Sequence, residues 1–482
     1  MEFDFANLIP VMPEIFMLSA ISLILVLDLF LRDRYRLTTY VLSLVALVGT
    51  AGMVAWVGDG DRHVVMQGAY VQDAMGDALK ISLLVITLFS FVYAKDYLRQ
   101  RDIFKGEFYI LGLFAVLGMM IMISANGFLS LYLGLELLAL SLYALVAFNG
   151  DSREGSEAAM KYFVLGALAS GMLLYGVSMI YGATGKLDFQ AVAQVIASGS
   201  ADQTVLIFGL VFVLIGIAFK FGAVPFHMWV PDVYHGAPTA VTAFLGSVPK
   251  IAAFAMAIRI LAEGLGGLHL GWEGWQGMLI LLAVASMALG NVIAIAQDNI
   301  KRMLGYSTIS HVGFIFLGIL AGTDKGYSAA MFYAIIYALT AAGGFGILII
   351  LSRKGFEAEN LHDLKGLNQR SPWLALLMML IMFSMAGVPP TAGFFAKLFV
   401  LDAVVSVDLV WLALVAVFFS IIGAFYYIRV VKVMYFDKPV SDMPIMASLD
   451  ARVAISINGL AMLVYGLFPA SLLAVCKTAF AG

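Results

Sequence analysis

The chain is a succession of long apolar runs joined by short polar connections. Fourteen such runs lie near 8–31, 38–57, 75–94, 107–124, 128–148, 157–182, 204–222, 237–262, 274–295, 301–321, 326–351, 372–400, 409–435 and 450–475, the 372–400 run being the least regular. Each is close to the about 20 apolar residues that a helix needs to cross roughly 30 Å of hydrocarbon. In lipid a spanning segment must satisfy its own backbone groups, and a helix does so internally. The pattern predicts an all-α, polytopic membrane protein of about 14 transmembrane helices, a single membrane domain over residues 1–482. No linker sets off a soluble part; the longest polar stretch, Ser352 to Ser371, reads as a connection.

Two segments carry visible interruptions. Segment 7 runs into Gly222-Ala223-Val224-Pro225, and segment 12 contains Gly387-Val388-Pro389-Pro390. Proline removes a backbone donor and clashes with the carbonyl four residues back, so neither helix can continue unbroken. Irregular backbone at membrane depth persists only where protein or a water-filled cavity surrounds it. The interruptions recur five segments apart, and an odd offset reverses the direction of the matching helices. That is the signature of two inverted five-helix repeats, segments 4–8 (107–262) and 9–13 (274–435). Segments 1–3 (1–106) precede them and segment 14 (450–475) follows. Proline and glycine are common enough in membrane helices to explain either break alone. Two breaks, each with a lysine nearby, point instead to a transport site.

Composition narrows the function without naming it. Hydrophobic residues make up 62% of the chain and charged ones 12%, against roughly 25% charged in a soluble domain. A net charge of −3 gives no basic surface for nucleic acid. The single cysteine, Cys476, excludes disulfide, iron–sulfur and zinc sites built from thiolates. Six scattered histidines make no haem or metal pattern. The opening Met1-Glu2-Phe3-Asp4 lacks the basic start of a cleaved signal peptide, so segment 1 is expected to be retained.

Basic residues mark alternate connections. One side holds Arg32, Arg34 and Arg36, Lys95 to Lys105, Arg153, Lys301 and Arg302, Arg353 to Arg370, and Arg429 to Lys438. The other holds little beyond Arg62, Lys186 and Lys325, with acids such as Asp59, Asp61, Glu263 and Glu273. The positive-inside rule assigns the first side to the cytoplasm. Both termini then fall on the far side, which needs an even number of spans.

The remaining information is in the charges placed inside apolar runs. Lys161, Lys220, Lys250 and Lys397 each cost roughly 2.5–3.5 kcal/mol on insertion scales if they reach the helix centre. Lys220 is flanked by apolar residues on both sides; Lys161 starts segment 6 and could reach the interface. Glu136 is the acid in mid-span, and charge balance makes Lys220 its expected partner. Burial disfavours the charged amine and an approaching acid restores it, so a lysine with a movable partner can take and release a proton. Pro225 should free the carbonyl of Phe221 beside Lys220. His311, with hydroxyl neighbours on its own segment, could link the lysines. Any one of these can be structural: a lysine tied to carbonyls, a packing histidine. His227 and His235 fit the interface, and the methionines and aromatic residues read as packing and lipid-facing surface. The set as a whole suggests proton movement.

Three stretches then carry a resemblance. Lys220–Thr239 (KFGAVPFHMWVPDVYHGAPT), Asn299–His311 (NIKRMLGYSTISH) and Gly387–Lys397 (GVPPTAGFFAK) resemble the signatures of the antiporter-like subunits of proton-pumping NADH:quinone oxidoreductase, respiratory complex I (NDH-1). The likeness covers nearly the whole chain. M-type members typically carry glutamate where Lys397 stands, and L-type members have a long C-terminal extension; this chain resembles neither in those respects, and its length resembles the bacterial form. The resemblance implies that Glu136 and Lys220 form the ion pair of one half-channel, with Lys250 as the connecting lysine. It makes Lys397 the terminal lysine of the other half-channel, His311 a member of the axis between them, and Lys161 a further lysine position. It implies a translocase subunit of the bacterial inner membrane with both termini periplasmic. NADH, FMN, iron–sulfur clusters and quinone would sit on partner subunits. Expected partners are the M-type and the small K-, J- and A-type membrane-arm subunits, and lipids. Two other readings stay open: a subunit of a cation/proton antiporter of the same fold, and a scaffold that conducts nothing.

Overall fold

The computed structural model describes residues 5–32, 35–269, 271, 274–440, 445 and 447–481. The expectations placed on Met1 to Asp4, Arg34 and Glu273 lie outside the described residues. Thirteen helices among the described residues are long and apolar enough to cross a membrane. In chain order, helices 1 to 6 are Leu8–Phe30, Leu37–Val57, Ala74–Gln100, Gly106–Ile123, Phe128–Val146 and Arg153–Thr184. Helix 7 is broken into 7a, Gln203–Phe221, and 7b, Trp229–Gly236. Helices 8 to 11 are Thr239–Gly264, Trp275–Ile295, Ile300–Leu320 and Asp324–Leu351. Helix 12 is broken into 12a, Pro372–Ala386, and 12b, Ala392–Val405, each too short to cross alone. Helices 13 and 14 are Val410–Phe436 and Leu449–Leu467. Counting the broken twelfth, the fourteen segments of the sequence are all present.

Polar residues at the run boundaries set the helix starts. Asp73, Ser152, Asn299 and Thr323 accept hydrogen bonds from the backbone of Gly76, Gly155, Arg302 and Gly326, capping helices 3, 6, 10 and 11. Each cap satisfies a donor that the helix itself cannot. Helices 4 and 5 pack closely because glycines face each other: a Cβ on Gly118 would stand 2.7 Å from the Gly134 carbonyl. Helices 9 and 10 also approach closely at a glycine, a Cβ on Gly290 falling 2.8 Å from the Tyr306 carbonyl. Helices 8, 10 and 11 are buried on nearly every side, whereas helices 1, 2, 6 and 13 expose most of their apolar surface. The polar residues that matter therefore converge where lipid does not reach.

Four features depart from a plain reading of the runs. A short hairpin, His63–Val65 with Tyr70–Gln72, joins helices 2 and 3. A helix at Phe189–Ala197, capped by Asp188, lies between helices 6 and 7. Helix 8 ends in a π-helical stretch, Ile258–Gly264. The last run divides at Phe468, with a second helix over Pro469–Thr478. Short amphipathic and wide-turn elements leave little trace in a search for long apolar runs.

Candidate functional site

The two breaks share one local design. Helix 7a ends at Gly222 and helix 12a at Gly387, both with positive φ (77° and 84°), a left-handed turn that favours glycine. In each, the turn folds the chain back on the carbonyls of the last helical turn. Ala223 donates to the Ala218 carbonyl at 2.8 Å, and Val388 to the Phe383 carbonyl at 2.9 Å. The prolines face outward: Pro225, Pro389 and Pro390 are exposed.

What the turns leave open, lysines close. Lys250 on helix 8 donates from Nζ to the Phe221 carbonyl at 2.7 Å. Lys397 on 12b donates to the Ala386 carbonyl at 2.9 Å and to Ser420 Oγ on helix 13 at 2.9 Å. Phe221 and Ala386 are the last residues of 7a and 12a, so each ammonium sits at the negative end of a half-helix. Each also lies over an aromatic ring, Lys250 5.4 Å from the centroid of Trp229 and Lys397 5.2 Å from that of Phe314. The carbonyl expected to be freed beside Lys220 is thus freed, and Lys250 takes it.

Lys220 itself, buried in the last turn of 7a, makes no hydrogen bond or ion pair among the described residues. Glu136 acts on it through space, as Lys220 does on Lys250. The carboxylate accepts instead from Ser170 Oγ on helix 6 at 2.5 Å. The Glu136–Lys220 pair expected from the sequence closes no ion pair among the described residues, and the two act on each other only through space. Lys161 is partly exposed on helix 6, 2.8 Å from both Glu157 and Asp232. Arg302 holds the other oxygen of Asp232 at 2.7 Å. Lys161 thus belongs to a surface cluster on the basic side, bordering a cleft of about 160 Å³.

His311 is buried on helix 10, with both ring nitrogens held by hydroxyls: Nδ1 by Tyr333 at 2.7 Å and Nε2 by Tyr427 at 3.0 Å. Tyr427 also meets Ser307 at 2.5 Å and Tyr426 at 3.2 Å, and Tyr426 donates to Asn291 at 2.9 Å. The Tyr333 ring stacks on Phe314, the ring beneath Lys397. The structure thus brings His311 and Lys397 into one neighbourhood, and Lys220 and Lys250 into another; Lys161 belongs to neither.

Sequence reasoning passed over several of these groups. Tyr333, Tyr426 and Tyr427 lie inside apolar runs and read as packing; their polar tips are disclosed only by what they touch. Ser420 and Ser170 are single hydroxyls in helices 13 and 6. Three buried cations were also missed. Lys80 pairs with Glu14 at 2.6 Å and donates to Tyr70. Arg259 clasps Asp73 through both nitrogens at 2.7 and 2.8 Å and reaches Glu263. Burial alone would raise the Asp73 carboxyl, but the guanidinium outweighs it and holds it below the ordinary value. Lys301, counted among the connections, is buried at the start of helix 10.

Comparison with known proteins identifies the family. Residues 125–423 match the profile of the family described as NADH:quinone oxidoreductase/Mrp antiporter, transmembrane. The chain is 58% identical to NADH-quinone oxidoreductase subunit N of Thioalkalivibrio sulfidiphilus over 99% of both chains. It is 56% identical to that of Thiobacillus denitrificans, over 98% of this chain and 97% of the other. Among solved structures it resembles a chain of respiratory complex I from Thermus thermophilus with bound aureothin, with a TM-score of 0.83 and 29% identity, covering 96% of this chain and 98% of that one.

Proposed function

This chain belongs to the NADH:quinone oxidoreductase/Mrp antiporter transmembrane family, and from that premise we propose that its buried lysines carry protons across the membrane within NADH:quinone oxidoreductase. It works as a proton-translocating membrane-arm subunit of that enzyme complex, an antiporter-like membrane protein. NADH, FMN, iron–sulfur clusters and quinone are held by partner subunits, of which the M-type and the small K-, J- and A-type membrane subunits are the neighbours. Its basic side faces the cytoplasm of a bacterial cell, and both termini face the periplasm.

The observation that carries the reading is the contrast among the lysines. Lys250 and Lys397 each satisfy the carbonyl end of a broken helix, while Lys220, within electrostatic range of both Glu136 and Lys250, makes no hydrogen bond or ion pair among the described residues. An ammonium anchored on a carbonyl can release its proton only as that carbonyl finds another donor. An unanchored one can move. Quinone reduction elsewhere in the complex shifts charge near Glu136, and Lys220 responds by approaching the carboxylate or withdrawing from it. As Lys220 approaches Glu136, its repulsion of Lys250 falls and Lys250 binds its proton more tightly; as it withdraws, Lys250 gives its proton up towards His311 and Lys397. His311, tied to two hydroxyls, accepts on one nitrogen and gives from the other. Lys161, on the surface cluster with Asp232, collects protons at the cytoplasmic mouth.

Lys220→Ala in the assembled complex tests this. NADH-driven quinone reduction and proton uptake in membrane vesicles should both fall at least tenfold, with assembly checked on a native gel. Normal turnover and uptake would make Lys220 structural and move the scaffold reading ahead.

A further inference from the structure

Lys301 repeats the arrangement of the two axial lysines at a third half-helix end. Its Nζ donates to the carbonyl of Ala237 at 2.8 Å, and Ala237 caps 7b. It is 3% exposed, which is unusual for a lysine one residue into a helix on the basic side. Acids surround it without pairing with it: Glu357 and Glu359 of the 352–371 connection and Glu154 of helix 6, with Arg101 at the end of helix 3 opposing them. Glu357 is already occupied by Arg101, Tyr97 and Thr239, and Glu359 faces His235 at 3.8 Å.

A second observation lies below it. Tyr234, three residues before Ala237, is fully buried, and its hydroxyl closes no hydrogen bond among the described residues. Its ring is wedged between two glycines: a Cβ on Gly246 would lie 3.2 Å from it and one on Gly305 3.6 Å. The hydroxyl lies beside those of Thr308 and Tyr337. Thr308 is two turns beyond Lys301 on the same face of helix 10. The Tyr337 hydroxyl reaches Thr308 Oγ1 at 2.7 Å and the Gly246 carbonyl at 3.3 Å, and its ring lies 5.1 Å from that of His311.

We propose that Lys301, Tyr234, Thr308 and Tyr337 form a second proton-loading branch, leading from the basic side of the membrane to His311 without passing through Lys220. The ammonium of Lys301 gives its proton towards the open Tyr234 hydroxyl. Each hydroxyl passes on its own proton as it accepts the next, and His311 receives one on a ring nitrogen as Tyr333 or Tyr427 releases it. Lys301 then regains a proton from water at the acidic rim of Glu357, Glu359 and Glu154. The inference rests on the axial reading above, because His311 is the recipient.

Three variants of the intact complex test it: Lys301→Arg, Lys301→Met and Tyr234→Phe, each with assembly, NADH-driven quinone reduction and proton uptake measured in vesicles. Arginine can keep the cap on Ala237 but does not deprotonate in a protein. Lys301→Arg should therefore lower uptake at least fivefold in an assembled complex, and Tyr234→Phe, which keeps the ring and the cap, should do the same. Wild-type uptake in Lys301→Arg would reduce Lys301 to a helix cap and overturn the branch. Wild-type uptake in an assembled Lys301→Met complex would overturn it as well. If arginine is too large for the site and that variant fails to assemble, Tyr234→Phe decides: normal uptake overturns the branch and reduced uptake supports it. Normal pumping by Lys220→Ala would remove the axial reading itself, whereas its loss alongside a normal Lys301→Arg would remove only the branch.

Discussion

The break in helix 7 and the break in helix 12 present the same backbone problem and draw their lysines from different places. At the first, the ammonium on the open carbonyl comes from the next helix, through Lys250, and the break's own lysine, Lys220, makes no hydrogen bond or ion pair among the described residues. At the second, Lys397 comes from the broken helix itself and is held twice, by Ala386 and by Ser420. The first site therefore has an anchored and an unanchored charge in mutual range, with an acid, Glu136, to bias them. The second has one anchored lysine and a neutral network of tyrosines around His311. On the proposed function, the first site would respond to a distant charge and the second would hold a proton until it leaves. Like local geometry does not impose like function; what differs is how many titratable groups surround it.

The strongest way to break this comparison is to fix both anchored charges. Lys250→Arg and Lys397→Arg keep a cation and donors at the carbonyl but remove the release of a proton. Proton uptake should fall at least tenfold in each, with the complex assembled. Uptake retained in Lys250→Arg alone would mean that Lys250 only caps helix 7a, and that the two sites differ in kind. A smaller effect is expected where the sites are joined. Tyr427→Phe leaves the ring in place and removes the partner of His311 Nε2, so uptake should drop about three- to tenfold, consistent with about 1 kcal/mol for a lost hydrogen bond. No change would take His311 out of the connection. The smallest effects belong to single hydroxyls. Ser420→Ala removes one of two contacts of Lys397 and should slow uptake about two- to fivefold. Ser170→Ala, which frees Glu136 to face Lys220, should change it by less than twofold. The reverse order would show that the first site, not the second, depends on a tightly held partner.

Much of this was legible in the chain. Fourteen runs yield fourteen segments, because a run of about 20 apolar residues has few alternatives in a bilayer. The breaks were legible too, since Gly222 to Pro225 and Gly387 to Pro390 cannot continue a helix. So was the freeing of the Phe221 carbonyl. Lysine in an apolar run is costly enough to flag Lys220, Lys250 and Lys397 by sequence alone. The same rule misplaced Lys301, which stands at the edge of its run where a loop residue is also expected.

Sequence determined where the chain crosses the membrane, where its helices break and that Lys220, Lys250 and Lys397 stand inside apolar runs, since each follows from the cost of exposing backbone or charge to hydrocarbon along one segment; it left Lys80, Arg259 and Lys301 unmarked. Only the tertiary structure decided which donor meets which carbonyl. Glu136 turns to Ser170 rather than Lys220, Lys250 rather than Lys220 takes Phe221, and tyrosines from helices 11 and 13 enclose His311. A hydrogen bond depends on fractions of an ångström between helices far apart in the chain. The pattern of apolar runs fixes the helices themselves and says nothing of those distances.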